Sequence, residues 1–508
     1  MTTTASPNGR KNPRRVCIGV AGLDDVLNGG LPQGHLYLIE GDPGTGKTTL
    51  GLQFLLEGVT KGEKGLYVTL SESKRELEAV AQSHGWDLSS LDIYEMTPVD
   101  EEISVEAQYT VFHPSDVELA DTTAAVLKEV ERVRPKRVVI DSLSELRMLA
   151  RDALRYRRQV LGLKRYFAGR DCTVLLLDDR TAEGNDLQLQ SIAHGVIMMQ
   201  SQEREFGVKR RRLEVRKIRG SRFREGFHDF SIETGGMIVH PRLVAAEHKP
   251  GFKREMVPSG LQKLDELLGG GLDTGTSTLL MGPAGCGKST IGVRYALSAA
   301  ERGDLAVIFT FDESSGTLLE RARGLNMALE KHIESGRIKL QQVDPAELSP
   351  GEFVAAVRAS VTRGGAKVVV IDSLNGFLNA MPGEKFLSLQ LHEMLSFLGQ
   401  QGVATIITLA QHGFVGTTMG TPVDVSYLAD TVLLFRYFEA AGEVKQAISV
   451  LKKRSGSHER SIRELIFRDG SISLGPALAE FEGVLTGVPK FRGTLTDLAG
   501  EASIAGKR

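Results

Sequence analysis

Two octapeptides in this 508-residue chain are built to hold a phosphate: Gly41-Asp42-Pro43-Gly44-Thr45-Gly46-Lys47-Thr48 and Gly282-Pro283-Ala284-Gly285-Cys286-Gly287-Lys288-Ser289. Both fit the pattern G-x-x-x-x-G-K-[ST]. Glycines let backbone N–H groups close around phosphate oxygens, Lys47 and Lys288 each add a positive charge, and Thr48 and Ser289 can ligate Mg²⁺. Thr45 and Cys286 lie inside the two loops, with the Cys286 side chain expected to be incidental. An acid follows each loop at the end of an apolar run, Asp141 after Val138-Val139-Ile140 and Asp372 after Val369-Val370-Ile371. There a carboxylate can hold Mg²⁺ or its water.

Between loop and acid lies another carboxylate, Glu72 in the first half and the pair Asp312-Glu313 in the second. These are the candidate bases or water-orienting groups, and Asp312 is also assigned to the metal. Far downstream come Lys217-x-Arg219 and Lys452-x-Arg454. On a strand, residues i and i+2 point the same way, so each pair makes a two-cation fork able to stabilise charge on a phosphoryl group of a neighbouring subunit. Each feature has a plainer reading: a strand terminus, a helix N-cap, a solvated basic edge. Their occurrence twice, in one order, favours the functional reading.

The elements that must position these residues are legible around them. His35 to Glu40 and Ser277 to Met281 read as buried strands, each followed by its loop and an apolar-faced helix, the strand–loop–helix context that a phosphate loop needs. Gly65 to Leu70 is a second strand, ending where Ser73 and Glu76 form a capping box. Gly22 to Gly34 reads as a short helix, Asp121 to Arg134 as an amphipathic helix, and Thr173 to Asp178 as a further strand. Arg211 to Ile218 and Asp229 to Ile232 read as hairpin strands, and Gly235-Gly236 as the close of the first half. Ala306 to Phe311, Val368 to Asp372 and Val403 to Leu409 repeat the plan, followed by strands at Val432, Ala447 and Arg463. Apolar strands alternating with helices specify an α/β fold with a mostly parallel, twisted sheet flanked by helices.

The second loop starts 241 residues after the first (282 − 41), and the other landmarks repeat near that spacing. That is a tandem duplication. It divides the chain into an arm (1–14), a first domain (15–245), a second domain (246–490) and a flexible tail (491–508). A net charge of −2 gives no global field for nucleic acid or a membrane surface. Three scattered cysteines make no metal pattern and no disulfide framework. A polar, basic N-terminus and the lack of any run of about 18 apolar residues leave no secretory signal and no membrane span, so a cytoplasmic location is expected.

The two loops, the paired V-[IV]-I-D-S-L strands, the K-x-R pairs and the segment Val425-Ser426-Tyr427-Leu428-Ala429-Asp430-Thr431-Val432-Leu433-Leu434 together resemble the RecA-type tandem ATPases of the KaiC family, over roughly residues 15–490. The resemblance implies two tandem RecA-like P-loop domains in a homohexameric double ring, with ATP and Mg²⁺ at subunit interfaces. It implies slow ATP hydrolysis in the first half, and serine/threonine autokinase and phosphatase activity in the second. It carries Gly44 to Thr49 and Gly285 to Thr290 to phosphate and Mg²⁺, and Lys217, Ile218, Arg219, Ser221, Lys452 and Arg454 to ATP from the neighbouring subunit; Ser83 joins the nucleotide contacts. A KaiB-like or other signalling protein is the expected partner.

Departures from the family pattern fall at functional positions. Its two adjacent carboxylates are Ser71 and Glu72 in one half and Asp312 and Glu313 in the other. A nucleotide-touching histidine is Phe223, and the adjacent Ser–Thr phosphosites are Ser426 and Tyr427, with a nearby threonine at Thr421. Ser426 is the expected phosphosite. A Ser–Tyr pair does not suit an ordered Ser/Thr phosphorylation cycle, which points to clock-like or stress signalling outside a core oscillator. Two other readings stand beside this one. A RecA- or helicase-type nucleic-acid motor is disfavoured by the charge balance and the single Trp86. A regulatory scaffold held together by ATP would differ from an enzyme in turnover.

Overall fold

The computed structural model describes residues 14–96, 114–150, 152–179, 187–203, 207–248, 251–379, 387–411, 427–440, 442–485 and 489–492. The chain divides into two compact units, Met1–Arg242 and Leu243–Arg508. The expected boundary at 245/246 lies three residues further on: Leu243 and Ala245 already belong to a core of the second unit, and the His248 ring meets Phe397 there, with ring centroids 4.7 Å apart.

In the first unit the strands are β1 (Leu36–Gly41), β2 (Gly65–Thr69), β3 (Asp92–Glu95), β4 (Arg137–Asp141), β5 (Thr173–Asp179), β6 (Gly195–Gln202), β7 (Arg210–Ile218), β8 (Phe227–Glu233) and β9 (Gly236–His240). They form one sheet in the order β9-β8-β7-β6-β1-β5-β4-β2-β3. The neighbours from β6 to β3 pair in parallel, and β6 through β9 pair antiparallel. The second unit repeats this plan with β10 (Ser277–Gly282), β11 (Ala306–Thr310), β12 (Ile338–Gln342), β13 (Val368–Asp372), β14 (Ala404–Ala410), β15 (Thr431–Ala440), β16 (Glu443–Lys453), β17 (Ile462–Arg468) and β18 (Ser471–Ala477). Its order is β12-β11-β13-β14-β10-β15-β16-β17-β18. The RecA-like α/β expectation holds in both halves.

The central parallel strands are mostly apolar and buried along their length because helices cover both faces. Tyr37 and Ile39 of β1 face a core with Leu50 and Phe54 of α1 (Lys47–Thr60), while Leu36 and Leu38 face the opposite core with Val160 and Phe167 of a later helix, Ala153–Ala168. Side-chain alternation along one strand thus feeds two layers. The segment expected as one helix over Gly22 to Gly34 is instead a single turn, Leu23–Val26, then Leu31–Pro32 paired with Arg15–Val16. Gly29 and Gly30, at φ 100° and 104°, take the chain out of the helix. Gly235-Gly236 does not close the first half: Gly235 lies in the β8–β9 hairpin turn and Gly236 begins β9. Among the described residues, no helix is long and apolar enough to cross a membrane.

Candidate nucleotide sites

Each phosphate loop spans the C-terminal end of its strand and the start of the following helix. Gly44 and Gly46 adopt φ 77° and 97°, and Gly285 and Gly287 adopt 77° and 98°. A Cβ on Gly46 would meet Ile232 Cδ1 at 2.5 Å, and one on Gly287 would meet Phe467 Cζ at 2.7 Å. A Cβ on Gly44, at the open tip, would meet no atom of the described residues within 4 Å. Gly41 and Gly282 are also hemmed in, by Thr45 Oγ1 and Phe435 O respectively. These positions need glycine for backbone shape and for close approach. Thr45 Oγ1 donates to Asp42 O at 2.8 Å, and Cys286 Sγ donates to Pro283 O at 2.9 Å. The Cys286 side chain is therefore not incidental: it closes the second loop as the threonine closes the first.

In the first unit Lys47 Nζ donates to Gly41 O (2.8 Å) and Asp42 O (3.1 Å) and lies 2.6 Å from Asp179 Oδ1. Asp141 Oδ2 accepts from Thr48 Oγ1 at 3.1 Å and from Tyr67 at 2.5 Å. Burial pushes the Asp141 pKa up against the pull of those two hydroxyls. Glu72, three residues past β2, has a raised pKa through burial first, then the negative charges of Asp141, Glu76 and Asp179, with Lys47 opposing. Its Oε2 is buried and finds no hydrogen-bond partner among the described residues. Thr49 is buried in the first turn of α1.

The second unit differs in detail. Lys288 Nζ donates to Pro283 O at 2.5 Å, and Ala410 stands opposite Gly282 where Asp179 stands opposite Gly41. Burial pushes Asp372 up while the hydroxyls of Thr408 and Ser289 hold it down. Asp312 accepts from Ser373 Oγ. Glu313 is gripped by Arg321, which also donates to Thr290 Oγ1. A cleft of about 860 Å³ is lined by the loop, Lys288, Ser289, Thr290, Asp312, Glu313, Arg321 and Asp372. In both units a buried acid bonded to a loop hydroxyl offers the oxygen donors that suit Mg²⁺, and a divalent cation would offset the burial that disfavours the ionised acid. The residues present fit that ion.

The forks lie elsewhere in each unit. Lys217 Nζ donates to Gln190 O, and Arg219, one residue past the end of β7, donates to Ser191 O at 2.6 Å. Lys164 caps Ile192 O at 2.6 Å, so three cations converge on the carbonyl end of the helix Leu187–Ile192. Burial, then Arg219 and Lys164, lower the Lys217 pKa. Lys452 donates to Ala429 O (2.7 Å), Arg454 donates to Tyr427 O (3.0 Å), and the Lys452 pKa is lowered by burial and then by Arg454. Ile218 is buried, and Ser221 Oγ accepts from Arg15. Ser83 ends the helix Lys74–Ser83, donates to Val80 O, and is not among the residues brought to the loop. Phe223 packs against the first core. Tyr427 is exposed. Ser426 and Thr421 lie outside the described residues.

Sequence reasoning passed over Asp179, Tyr67, Thr408, Arg321 and Lys164. For Asp179 a signal existed: it ends a parallel strand, as Glu72 nearly does, and such positions face the ligand crevice. No local pattern announces the others.

The family described as "ATPase: KaiC" matches residues 16–244 and 257–479. A circadian clock oscillator protein KaiC from Picosynechococcus sp. is 26% identical over 493 residues, covering 96% of this chain and 94% of its own length. KaiC from Synechococcus elongatus is 26% identical over 475 residues (92% and 91%), and KaiC from Prochlorococcus marinus 25% over 499 (96% and 98%).

Proposed function

The chain belongs to the KaiC family of ATPases, and from that premise we propose that it is an ATP-hydrolysing, self-phosphorylating double-ring hexamer whose two units divide the chemistry. The first unit hydrolyses ATP. Lys47 moves from Asp179 onto the phosphates, the Gly44–Thr48 backbone cradles them, and Thr48 with Asp141 holds Mg²⁺, which supplies charge neutralisation on the phosphates. Glu72 takes a proton from the attacking water. The water oxygen bonds to the γ-phosphorus, the bond to the bridging oxygen breaks, and ADP leaves with that electron pair. Lys217 and Arg219 of a neighbouring copy meet the charge that develops; in the single chain they rest on helix-end carbonyls, which a phosphate can replace.

The second unit transfers the phosphoryl group to Ser426 of a neighbouring copy, with Asp312 taking the hydroxyl proton and Lys452 and Arg454 serving as Lys217 and Arg219 do. A KaiB-like or other signalling protein reads the phosphorylated ring in the cytoplasm.

The observation that carries the reading is Glu72: a carboxylate of raised pKa, with a buried unpartnered oxygen, beside Lys47 and Asp141. Steady-state turnover of Glu72→Gln at saturating Mg-ATP tests it, since a positioned base is worth about 10²–10⁴-fold. Wild-type turnover would remove Glu72 from the chemistry. Phosphopeptide mapping tests the second half: phosphate on Thr421 or Tyr427 and none on Ser426 rejects the assignment.

A further inference from the structure

The two units hold their glutamates differently. In the second, the Arg321 guanidinium grips both oxygens of Glu313, Nε to Oε1 at 3.2 Å and Nη2 to Oε2 at 2.6 Å, and its third nitrogen, Nη1, donates to Thr290 Oγ1 at 2.6 Å. Thr290 lies in the first turn of the loop helix, next to Ser289. The planar fork therefore fixes the carboxylate to the floor of the nucleotide cleft, a geometry that a lysine could not reproduce.

The sheet registers place the corresponding first-unit residues without ambiguity. Thr69 stands opposite Asp141 as Thr310 stands opposite Asp372. Counting on, Glu72 corresponds to Glu313, and the N-caps Ser73 and Ser314 correspond. Seven residues past each cap (80 − 73, 321 − 314) stand Val80 and Arg321. The Val80 side chain is apolar and packs on the core, and among the described residues Glu72 keeps a buried oxygen without a partner. The anchor survives, because Thr49 occupies the position of Thr290.

We propose that Arg321 is a positioning residue that withholds Glu313 from water, and so directs the second unit's phosphoryl group toward a protein hydroxyl; this rests on the division of labour proposed above. To act on water, Glu313 must give up a charge-assisted bond to accept the proton that water releases as its oxygen bonds to the γ-phosphorus and ADP leaves. Asp312, held among the described residues by the Ser373 hydroxyl and lining the same cleft, stays available for the proton of an acceptor hydroxyl. The first unit, lacking the arginine, has its glutamate free.

The test uses the full chain with Glu72→Gln to silence the first unit. Adding Arg321→Val should raise phosphate release by roughly tenfold, inside the ~10²–10⁴-fold that a positioned base supplies. A further Glu313→Gln should abolish that gain. The reciprocal Val80→Arg in the otherwise unchanged chain should lower total turnover several-fold while binding of a fluorescent ATP analogue is kept. If Arg321→Val does not fold, Arg321→Gln carries the same expectation. Release that stays flat or falls in a folded, nucleotide-binding variant overturns the proposal, as does a gain that survives Glu313→Gln. Failure of the underlying reading shows separately: Glu72→Gln alone would then leave total turnover unchanged.

Discussion

Replacing Asp179 with alanine should tighten ATP binding to the first unit. In the structure Lys47 Nζ sits 2.6 Å from Asp179 Oδ1, with side-chain exposures of 7% and 27%. ATP must take that ammonium for its phosphates, so the ion pair competes with the ligand. A hydrogen bond between charged groups is worth about 1.5–3 kcal/mol, and the partly exposed carboxylate puts this one at the low end. At about 1.5 kcal/mol, the affinity gain is roughly tenfold. Removing a negative charge from beside the phosphates works in the same direction. The assay is titration with a fluorescent ATP analogue in a Lys288→Ala background, which isolates the first site. The mirror experiment is Ala410→Asp in a Lys47→Ala background, which should weaken the second site by a similar factor. Unchanged or weaker binding in Asp179→Ala, with the fold intact, would refute the argument and make Asp179 a contributor to nucleotide or metal binding.

Three further outcomes are expected. With Lys288→Ala isolating the first unit, hydrolysis should fall as pH drops through the raised Glu72 pKa, because the base must be deprotonated; a midpoint at or below the ordinary 4.5 would argue against Glu72 as that base. Arg137 is buried and donates to Cys17 O, Phe54 O and Glu63, so Arg137→Ala should cost the first unit about 3–5 kcal/mol in denaturant unfolding. Cys286→Thr should keep second-site affinity, since Thr45 makes the same loop-closing bond, whereas Cys286→Val should lower it.

Much of the site was legible from local pattern. The loops, Asp141 and Asp372, the capping box at Ser73 and the doubled strand plan all depend on spacings within one strand–loop–helix unit or on repetition. Local chemistry dictates these: glycine where φ is positive, an apolar run where both faces are covered, a carboxylate where a strand ends at the crevice. The short helix expected over Gly22 to Gly34 failed for a local reason as well, because consecutive glycines stop a helix more readily than they cap it.

What the sequence could not reveal is who holds whom. Lys47 meets Asp179 because β1 lies beside β5 in the sheet, though the two residues are 132 positions apart (179 − 47). Asp141 takes its second hydroxyl from Tyr67 on β2, while Asp372 takes its from Thr408 on β14, so equivalent acids are held from opposite neighbours. Arg321, on the helix Ser315–Gly324, reaches Glu313 before that helix and Thr290 on the loop helix only in the folded chain. Sequence fixes which residue types end the strands. Strand order, decided by packing helices on both faces of one sheet, determines which of those ends become neighbours, and hence which charges each catalytic side chain meets.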